Sequence, residues 1–361
     1  MEIKRRKTRI VKVGSVKIGG NNPIVIQSMA KTDTRNTTRT ISEILKLEKS
    51  GCEIVRVAVK DLESARALRA IKERVSIPLV ADIHFDYRLA LESLESGADK
   101  IRINPGNIPK PVDLRQIIRA AGKRKIPIRI GINSGSLPYH IAHLGGDKRV
   151  AGLVSFARKY INFFEKEKFR DIIISIKSSS VYETVRSYRK LAAFCDYPFH
   201  VGVTAAGPYN TGIVKSSIGA GALLLDGIGD TIRVSLTGDP RDEVIAAKRI
   251  LQSLDLRRFD PDIISCPTCG RCQVDLAGIV KQLEGALSHN PSLVTRDGSR
   301  ITTIAVMGCE VNGPGEAREA DVGVAFGRDS GTLFKKGKIV KRIKAKNAVR
   351  ELLKYIRDFK L

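Results

Sequence analysis

Ile101-Arg102-Ile103-Asn104-Pro105-Gly106-Asn107 decides how this chain folds. Side chains alternate along a strand, so an arginine and an asparagine set between isoleucines make one apolar face and one polar face. The same alternation returns in Ile54-Val55-Arg56-Val57, Ile128-Arg129-Ile130-Gly131 and Ile232-Arg233-Val234-Ser235. In a barrel wrapped by helices, the branched residues take the helix-packed side and the other parity faces inward. Arg56, Arg102, Arg129 and Arg233 therefore point into the lumen, and Asn104, Asn133 and Ser235 share their parity. Lys177 in Ser175-Ile176-Lys177-Ser178, and Asp82 and His84 in Ala81-Asp82-Ile83-His84-Phe85, join them from two further strands.

Working outward, short β-branched runs recur at 23–28, 53–57, 78–83, 100–104, 127–132, 171–176, 199–203 and 231–236. Amphipathic stretches at 38–50, 61–74, 87–96, 112–123, 149–166, 181–195 and 215–225 separate them, and Asp239-Pro240 opens another through about residue 254. Eight strand–helix units in this rhythm predict an α/β fold of the (β/α)8 TIM type over residues 1–255. A doubly wound open sheet is weaker, because no Gly-x-Gly-x-x-Gly turn follows the first strand. The pattern breaks near Leu256-Arg257-Arg258, and residues 256–361 read as a smaller α/β domain with strands at 301–307, 321–326 and 338–341 and helices at 275–287 and 345–357.

Charge gives the lumen a purpose. Arg56, Arg102, Arg129, Arg233 and Lys177 face one carboxylate in this set, Asp82. Unpaired buried cations are costly, so an internal salt-bridge network is a poor account and an anion should complete the site. Guanidinium groups match phosphate oxygens in a two-pronged fashion, and Gly131-Ile132-Asn133-Ser134-Gly135 adds backbone N–H groups at the strands' C-terminal ends, where barrel enzymes keep their sites.

A second constellation is Ser265-Cys266-Pro267-Thr268-Cys269-Gly270-Arg271-Cys272, with another cysteine in Met307-Gly308-Cys309-Glu310. Thiols two residues apart, closed by a remote one, fit zinc or an iron–sulfur cluster by spacing alone. Cys52 and Cys195 lie in apolar contexts and read as core. Clustered thiols, the absence of an apolar leader after Met1-Glu2-Ile3-Lys4-Arg5-Arg6-Lys7 and the lack of a membrane-length apolar run point to a reducing cytoplasm and no membrane. The formal net charge of +25 favours an anionic partner. A zinc-ribbon nucleic-acid-binding protein is the main alternative, but it needs exposed basic patches interleaved with aromatics, and the chain has no tryptophan and 5% aromatic residues. A barrel aldolase or isomerase with structural zinc has only Lys177 as a Schiff-base candidate, among arginines that suit phosphate better.

Cys-Pro-Thr-Cys-Gly-Arg, Met-Gly-Cys-x-Val-Asn-Gly-Pro-Gly-Glu-Ala, Ala-Asp-Ile-His-Phe, Ile-Arg-Ile-Asn-Pro-Gly-Asn and Ile-Gly-x-Asn-Ser-Gly-Ser-Leu together resemble the 4-hydroxy-3-methylbut-2-enyl diphosphate synthase family, from Lys7 to the C-terminal helix. The resemblance implies an iron–sulfur oxidoreductase of isoprene biosynthesis in the methylerythritol phosphate pathway. It implies a [4Fe–4S] cluster held by Cys266, Cys269, Cys309 and Glu316, with Glu316 as the exchangeable, catalytic ligand. The implied substrate is 2-C-methyl-D-erythritol 2,4-cyclodiphosphate, bound by Arg56, Arg102, Asn104, Arg129, Asn133, Lys177, Arg233 and Ser235, with Asp82 and His84 at the reacting end. An acidic donor, ferredoxin or flavodoxin, and a head-to-tail homodimer are implied as partners. Two departures stand out. Cys272 occupies a position where the family commonly has a non-ligand: either it competes with Glu316 for the fourth iron, or its two-residue step from Cys269 aims it outward, and Glu316 is the favoured ligand. Thr204-Ala205-Ala206-Gly207 stands where the family usually reads Thr-Glu-Ala-Gly, so a carboxyl thought to assist proton transfer is absent.

Overall fold

The computed structural model describes residues 3–288, 303–328 and 330–357, in two compact units, Met1–Arg257 and Arg258–Leu361. The first begins with an antiparallel hairpin, β1 (Val11–Val13) and β2 (Val16–Ile18), that turns at Gly14, whose φ of +55° suits glycine. Eight parallel strands follow: β3 (Val25–Met29), β4 (Ile54–Val59), β5 (Leu79–Ile83), β6 (Lys100–Ile103), β7 (Ile128–Asn133), β8 (Ile172–Lys177), β9 (His200–Val201) and β10 (Thr231–Ile232). They run in the order β8-β7-β6-β5-β4-β3-β10-β9. The ring is completed between β8 and β9 by a single bridge, Ile174 to Phe199, where Ile174 N–H donates to the Pro198 carbonyl at 2.9 Å. This is the TIM-type barrel that the alternating arginines predict.

Helices α1 (Thr37–Lys49), α2 (Leu62–Lys72), α3 (Tyr87–Glu95), α4 (Pro111–Arg124), α5 (Tyr139–Ala142), α6 (Gly146–Lys166), α7 (Val181–Ala192), α8 (Tyr209–Leu225) and α9 (Pro240–Ser253) lie in the connections. Their starts are chemically marked. Asp61 and Ser64 form a reciprocal capping box at α2, and Asn36, Asp86, Ser180 and Asp239 each accept a backbone N–H at α1, α3, α7 and α9. The helix expected at 215–225 begins earlier, at Tyr209. Its first turns hold the poor helix former Gly212, retained because a Cβ there would lie 2.6 Å from Leu236 Cδ2. β9 and β10 are shorter than expected; Gly202, at φ +144°, ends the β9 ladder.

Isoleucines 101, 103, 128 and 130 are fully buried on the helix side. The hairpin, which sequence periodicity misses, closes the bottom: Val11, Val13 and Ile18 pack on Val25, Ile54, Val80 and Ile173. Cys52 is buried as expected, whereas Cys195 is only half-buried.

The second unit contains β11 (Asp262–Ser265), α10 (Leu276–Ser288), β12 (Thr303–Met307), α11 (Gly313–Glu319), β13 (Val322–Phe326), β14 (Gly331–Lys335), β15 (Lys338–Ile343) and α12 (Ala348–Arg357). The sheet order is β11-β12-β13-β14-β15, parallel across the first three strands and antiparallel beyond. α10 and α12 cover one face over Val306, Val322, Val324 and Leu333, while Ala317 and Ala320 lie with Ala305, Ala325 and Phe334 in a second cluster. β11, β14 and α11 were not legible as elements in the sequence. Residues 301 and 302, the start of an expected strand, lie outside the described residues. Among the described residues, no helix is long and apolar enough to cross a membrane.

Candidate active site

The inward parity delivers its side chains as the sequence predicts. Arg102 on β6 sits in register with Asp82 on β5 and with Arg129 on β7. Asp82 is the hub: Arg102 Nη1 approaches its Oδ1 at 2.9 Å, Arg56 Nε its Oδ2 at 3.5 Å, and His84 Nε2 lies 3.6 Å from Oδ1. Burial pushes the Asp82 carboxyl up, but the two guanidinium groups and His84 outweigh it and hold it well below the usual carboxylate range.

Glycine makes room for this cluster. A Cβ at Gly131 would lie 2.4 Å from Arg102 Nε, and Arg102 Nη2 donates to the Gly131 carbonyl at 3.2 Å. Gly202 plays the same part beside Lys177, whose Nζ would be 3.0 Å from an added Cβ.

His84 sits between two groups. Arg102 Nη1 is 2.9 Å from its Nε2, and the Asn107 amide is 3.1 Å from its Nδ1. A guanidinium can only donate, so Nε2 is the acceptor in the first of these contacts. Asn104 has a structural duty as well, since its side chain accepts the Gly106 N–H at 3.1 Å and caps the short turn after β6. Asn133 ends β7 and Ser235 lies three residues past β10; both are half-buried at the mouth.

The charge balance needs one correction. Glu243 on α9, absent from the sequence-derived set, is a second buried carboxylate. It meets Arg233 Nε at 3.2 Å and Lys31 Nζ at 3.4 Å, and accepts the Ser28 hydroxyl at 3.1 Å. A helix residue reaching between strands leaves no period-two signal, which is why it was missed. Lys100, one strand period below Arg102, is a further buried cation. The surplus of positive charge survives both additions. Arg129 is 1% exposed, and among the described residues its Nε and Nη1 have no partner, nor has Arg102 Nε. Burial, reinforced by the neighbouring guanidinium groups, lowers Arg129 and Lys177 well below their usual values. Arg56 is lowered to about 9 by burial, against the pull of Asp82. The Met29 thioether lies against both Arg56 and Arg233, with Sδ 2.9 Å from Arg56 Nη2 and 3.8 Å from Arg233 Nη1. Three positions outside β-space bend the chain at functional loops: Phe85 at φ +63°, Ala205 at +47° and Thr268 at +52°, the last a β-branched residue for which this conformation is an outlier.

Thr268 belongs to the cysteine loop of the second unit. β11 and β12 run parallel with Ser265 opposite Val306, so Cys266 and the Gly308-Cys309 segment leave the sheet side by side. Gly308 N–H points to Cys266 Sγ at 3.4 Å, Cys272 N–H donates to the Cys269 carbonyl at 2.8 Å, and Gln273 N–H donates to the Gly308 carbonyl at 3.1 Å. Cys269 and Glu316 are exposed, with Glu316 in the first turn of α11, and Cys309 is half-exposed. Cys272 is not aimed outward. Its Sγ would lie 2.4 Å from a Cβ at Gly308, and it packs beside Leu276 on the unit's core. Among the described residues no three His, Cys, Asp or Glu side chains converge as a metal site. The donor set itself fits an iron–sulfur cluster: soft thiols on two adjacent loops, all free, with a backbone N–H directed at one sulfur.

A lumen of buried cations inside a TIM-type barrel, in one chain with a thiol-bearing α/β unit, defines the class of protein. The family described as GcpE TIM-barrel domain matches residues 8–248, and that described as GcpE protein C-terminal domain matches residues 262–358. A 4-hydroxy-3-methylbut-2-en-1-yl diphosphate synthase (flavodoxin) from Fusobacterium nucleatum is 51% identical over 98% of both chains. One of the same name from Caldanaerobacter subterraneus is 49% identical, again over 98% of each. A dihydropteroate synthase from Stenotrophomonas maltophilia shares the barrel fold alone, at 15% identity and a TM-score of 0.52 over 69% of this chain and 98% of that one. The chain belongs to the 4-hydroxy-3-methylbut-2-en-1-yl diphosphate synthase family. The zinc-ribbon reading falls away with it.

Proposed function

We propose that this chain opens 2-C-methyl-D-erythritol 2,4-cyclodiphosphate reductively to 4-hydroxy-3-methylbut-2-enyl diphosphate, as an iron–sulfur oxidoreductase of the methylerythritol phosphate pathway. The observation that carries the reading is the set of unpartnered guanidinium nitrogens on buried Arg129 and Arg102, in a lumen whose cations outnumber its carboxylates.

Arg56, Arg102, Arg129, Lys177 and Arg233 grip the diphosphate, and Asn104, Asn133 and Ser235 orient the molecule from the mouth. Two electrons and two protons enter, the ring carbon–oxygen bond to the diphosphate breaks, and a hydroxyl leaves as water to give the allylic product. Charge builds on the freed diphosphate oxygen, where fixed guanidinium groups stabilise it without having to reorganise. Asp82 holds Arg56 and Arg102 in place. His84, beside Asp82 and Arg102, is the group placed to hold and pass a proton at the substrate. It thereby serves the role left open by Ala205.

Cys266, Cys269, Cys309 and Glu316 would hold a [4Fe–4S] cluster, which when bound supplies the electrons one at a time. Glu316 would be the single carboxylate beside three thiolates, the hardest and most labile donor of the four. Flavodoxin is the proposed donor, in keeping with the names of the relatives, and the +25 charge would steer such an acidic carrier. The functional assembly is a head-to-tail homodimer.

The test is anaerobic reconstitution with iron and sulfide, followed by turnover of the cyclodiphosphate with reduced flavodoxin, for this chain and for Ala205→Glu. Turnover that slows as salt rises supports the reading. A reconstituted protein that neither binds nor reduces the cyclodiphosphate ends it.

A further inference from the structure

We propose that the barrel floor, beneath the diphosphate clamp, binds a small monovalent inorganic anion, chloride being the natural candidate, between Lys100, Gln27, His200 and Arg129 Nε. Lys100 is 0% exposed, and Gln27, Arg129 and His200 are each 1% exposed. Lys100 Nζ reaches across the lumen from β6 to Gln27 Oε1 on β3, at 3.2 Å. That contact leaves Gln27 Nε2 without a partner, and Arg129 Nε and Nη1 and His200 Nε2 are likewise unpartnered. His200 Nδ1 is 2.7 Å from the Thr231 hydroxyl. With that hydroxyl donating to Nδ1, the ring turns an N–H outward at Nε2. Among the described residues, buried groups from β3, β6, β7 and β9 thus lack an acceptor at the floor of the barrel.

Water alone does not suffice. It satisfies hydrogen bonds but leaves charge uncompensated, and among the described residues no carboxylate lies within ion-pair distance of Lys100 or Arg129. The two lumen carboxylates are committed elsewhere, Asp82 to Arg56 and Arg102, and Glu243 to Arg233 and Lys31. Lys100 is a surplus cation of the floor that a small monovalent anion offsets. Burial and repulsion from Arg129 and Arg56 lower its ammonium well below the usual value, a cost that a bound anion relieves. The hairpin side chains Val11, Val13 and Ile18 pack against the bottom of the barrel, so the ion enters past the clamp. This anion site stands or falls separately from the cyclodiphosphate.

The decisive experiment is diffraction at the bromine absorption edge from crystals of the full chain grown in bromide. An anomalous peak within hydrogen-bonding distance of Lys100 Nζ and Gln27 Nε2 is expected. In parallel, replacing gluconate by chloride at fixed ionic strength should raise the unfolding temperature saturably, and Lys100→Met should abolish that rise. Ordered water without anomalous signal at the floor overturns the proposal. So does a halide confined to Arg56 and Arg233, a result that would leave the clamp reading intact. A chloride response unchanged in Lys100→Met overturns it too, and if that variant fails to fold the bromide map alone decides.

Discussion

Gly131 and Arg102 are fitted to each other: the guanidinium occupies the space a Cβ at position 131 would need, 2.4 Å from its Nε, and is held there by the Gly131 carbonyl. The strand that carries the glycine thereby sets where the neighbouring strand's arginine points. Gly131→Ala should displace Arg102 from Asp82 and His84. Calorimetry is expected to show affinity for the cyclodiphosphate falling about tenfold, which corresponds to ~1.4 kcal/mol. Unchanged affinity would mean that Arg102 is not part of the clamp.

Lys177 opposes folding and, in the proposed function, serves binding. It is 6% exposed, and burial together with Arg129, Arg233 and Arg56 disfavours its charge. Lys177→Met keeps the volume and removes the charge. Stability of the ligand-free protein should rise by about 1–4 kcal/mol, while affinity for the cyclodiphosphate falls about 30-fold or more. Denaturant unfolding and calorimetry measure the two sides. A variant that loses both stability and affinity would contradict this division.

The same residue predicts a pH signature. Its ammonium is lowered in the fold from an unfolded value of 10.5. The unfolded chain therefore binds more protons between the two values, and stability rises with pH across that window. The penalty is full below the folded value and vanishes as pH climbs to 10.5. The stability gap between Lys177→Met and the unaltered protein should narrow as pH climbs through that window and close towards its upper limit. A gap constant across the range would sink the assignment.

Cysteine replacements separate ligand from core. Cys309→Ala and Cys266→Ala should lose the visible iron–sulfur absorption after anaerobic reconstitution. Cys272→Ser should keep it, because that thiol packs beside Leu276 and lies 3.3 Å from the Val274 carbonyl. Its cost is expected in stability, about 1 kcal/mol or more for a hydroxyl set against apolar neighbours. Iron analysis and thermal unfolding of each variant check the pair of outcomes.

How far the sequence carries can be judged position by position. Arg56, Arg102, Arg129, Asp82 and Lys177 were readable because strand periodicity is local: flanking isoleucines and valines assign each side chain to a face without knowledge of its neighbours. The cysteine spacing was readable for the same reason. The direction of Cys272 was left open because it depends on Gly308, which arrives from another strand. Glu243 was missed because a helix residue enters the lumen only once α9 is docked. The hairpin of Val11–Val13 and Val16–Ile18 is too short for any periodic signal.

Alternation of arginine with branched residues, set by chain chirality and the pleat, was enough by itself to determine a barrel with an anion-seeking lumen. What the tertiary structure alone decided is how that charge is shared out. Asp82 serves two arginines, Glu243 another, and Arg129 with Lys100 are left uncompensated. Coulombic balance depends on distances across the lumen, and those exist only after eight separate strands have closed around it.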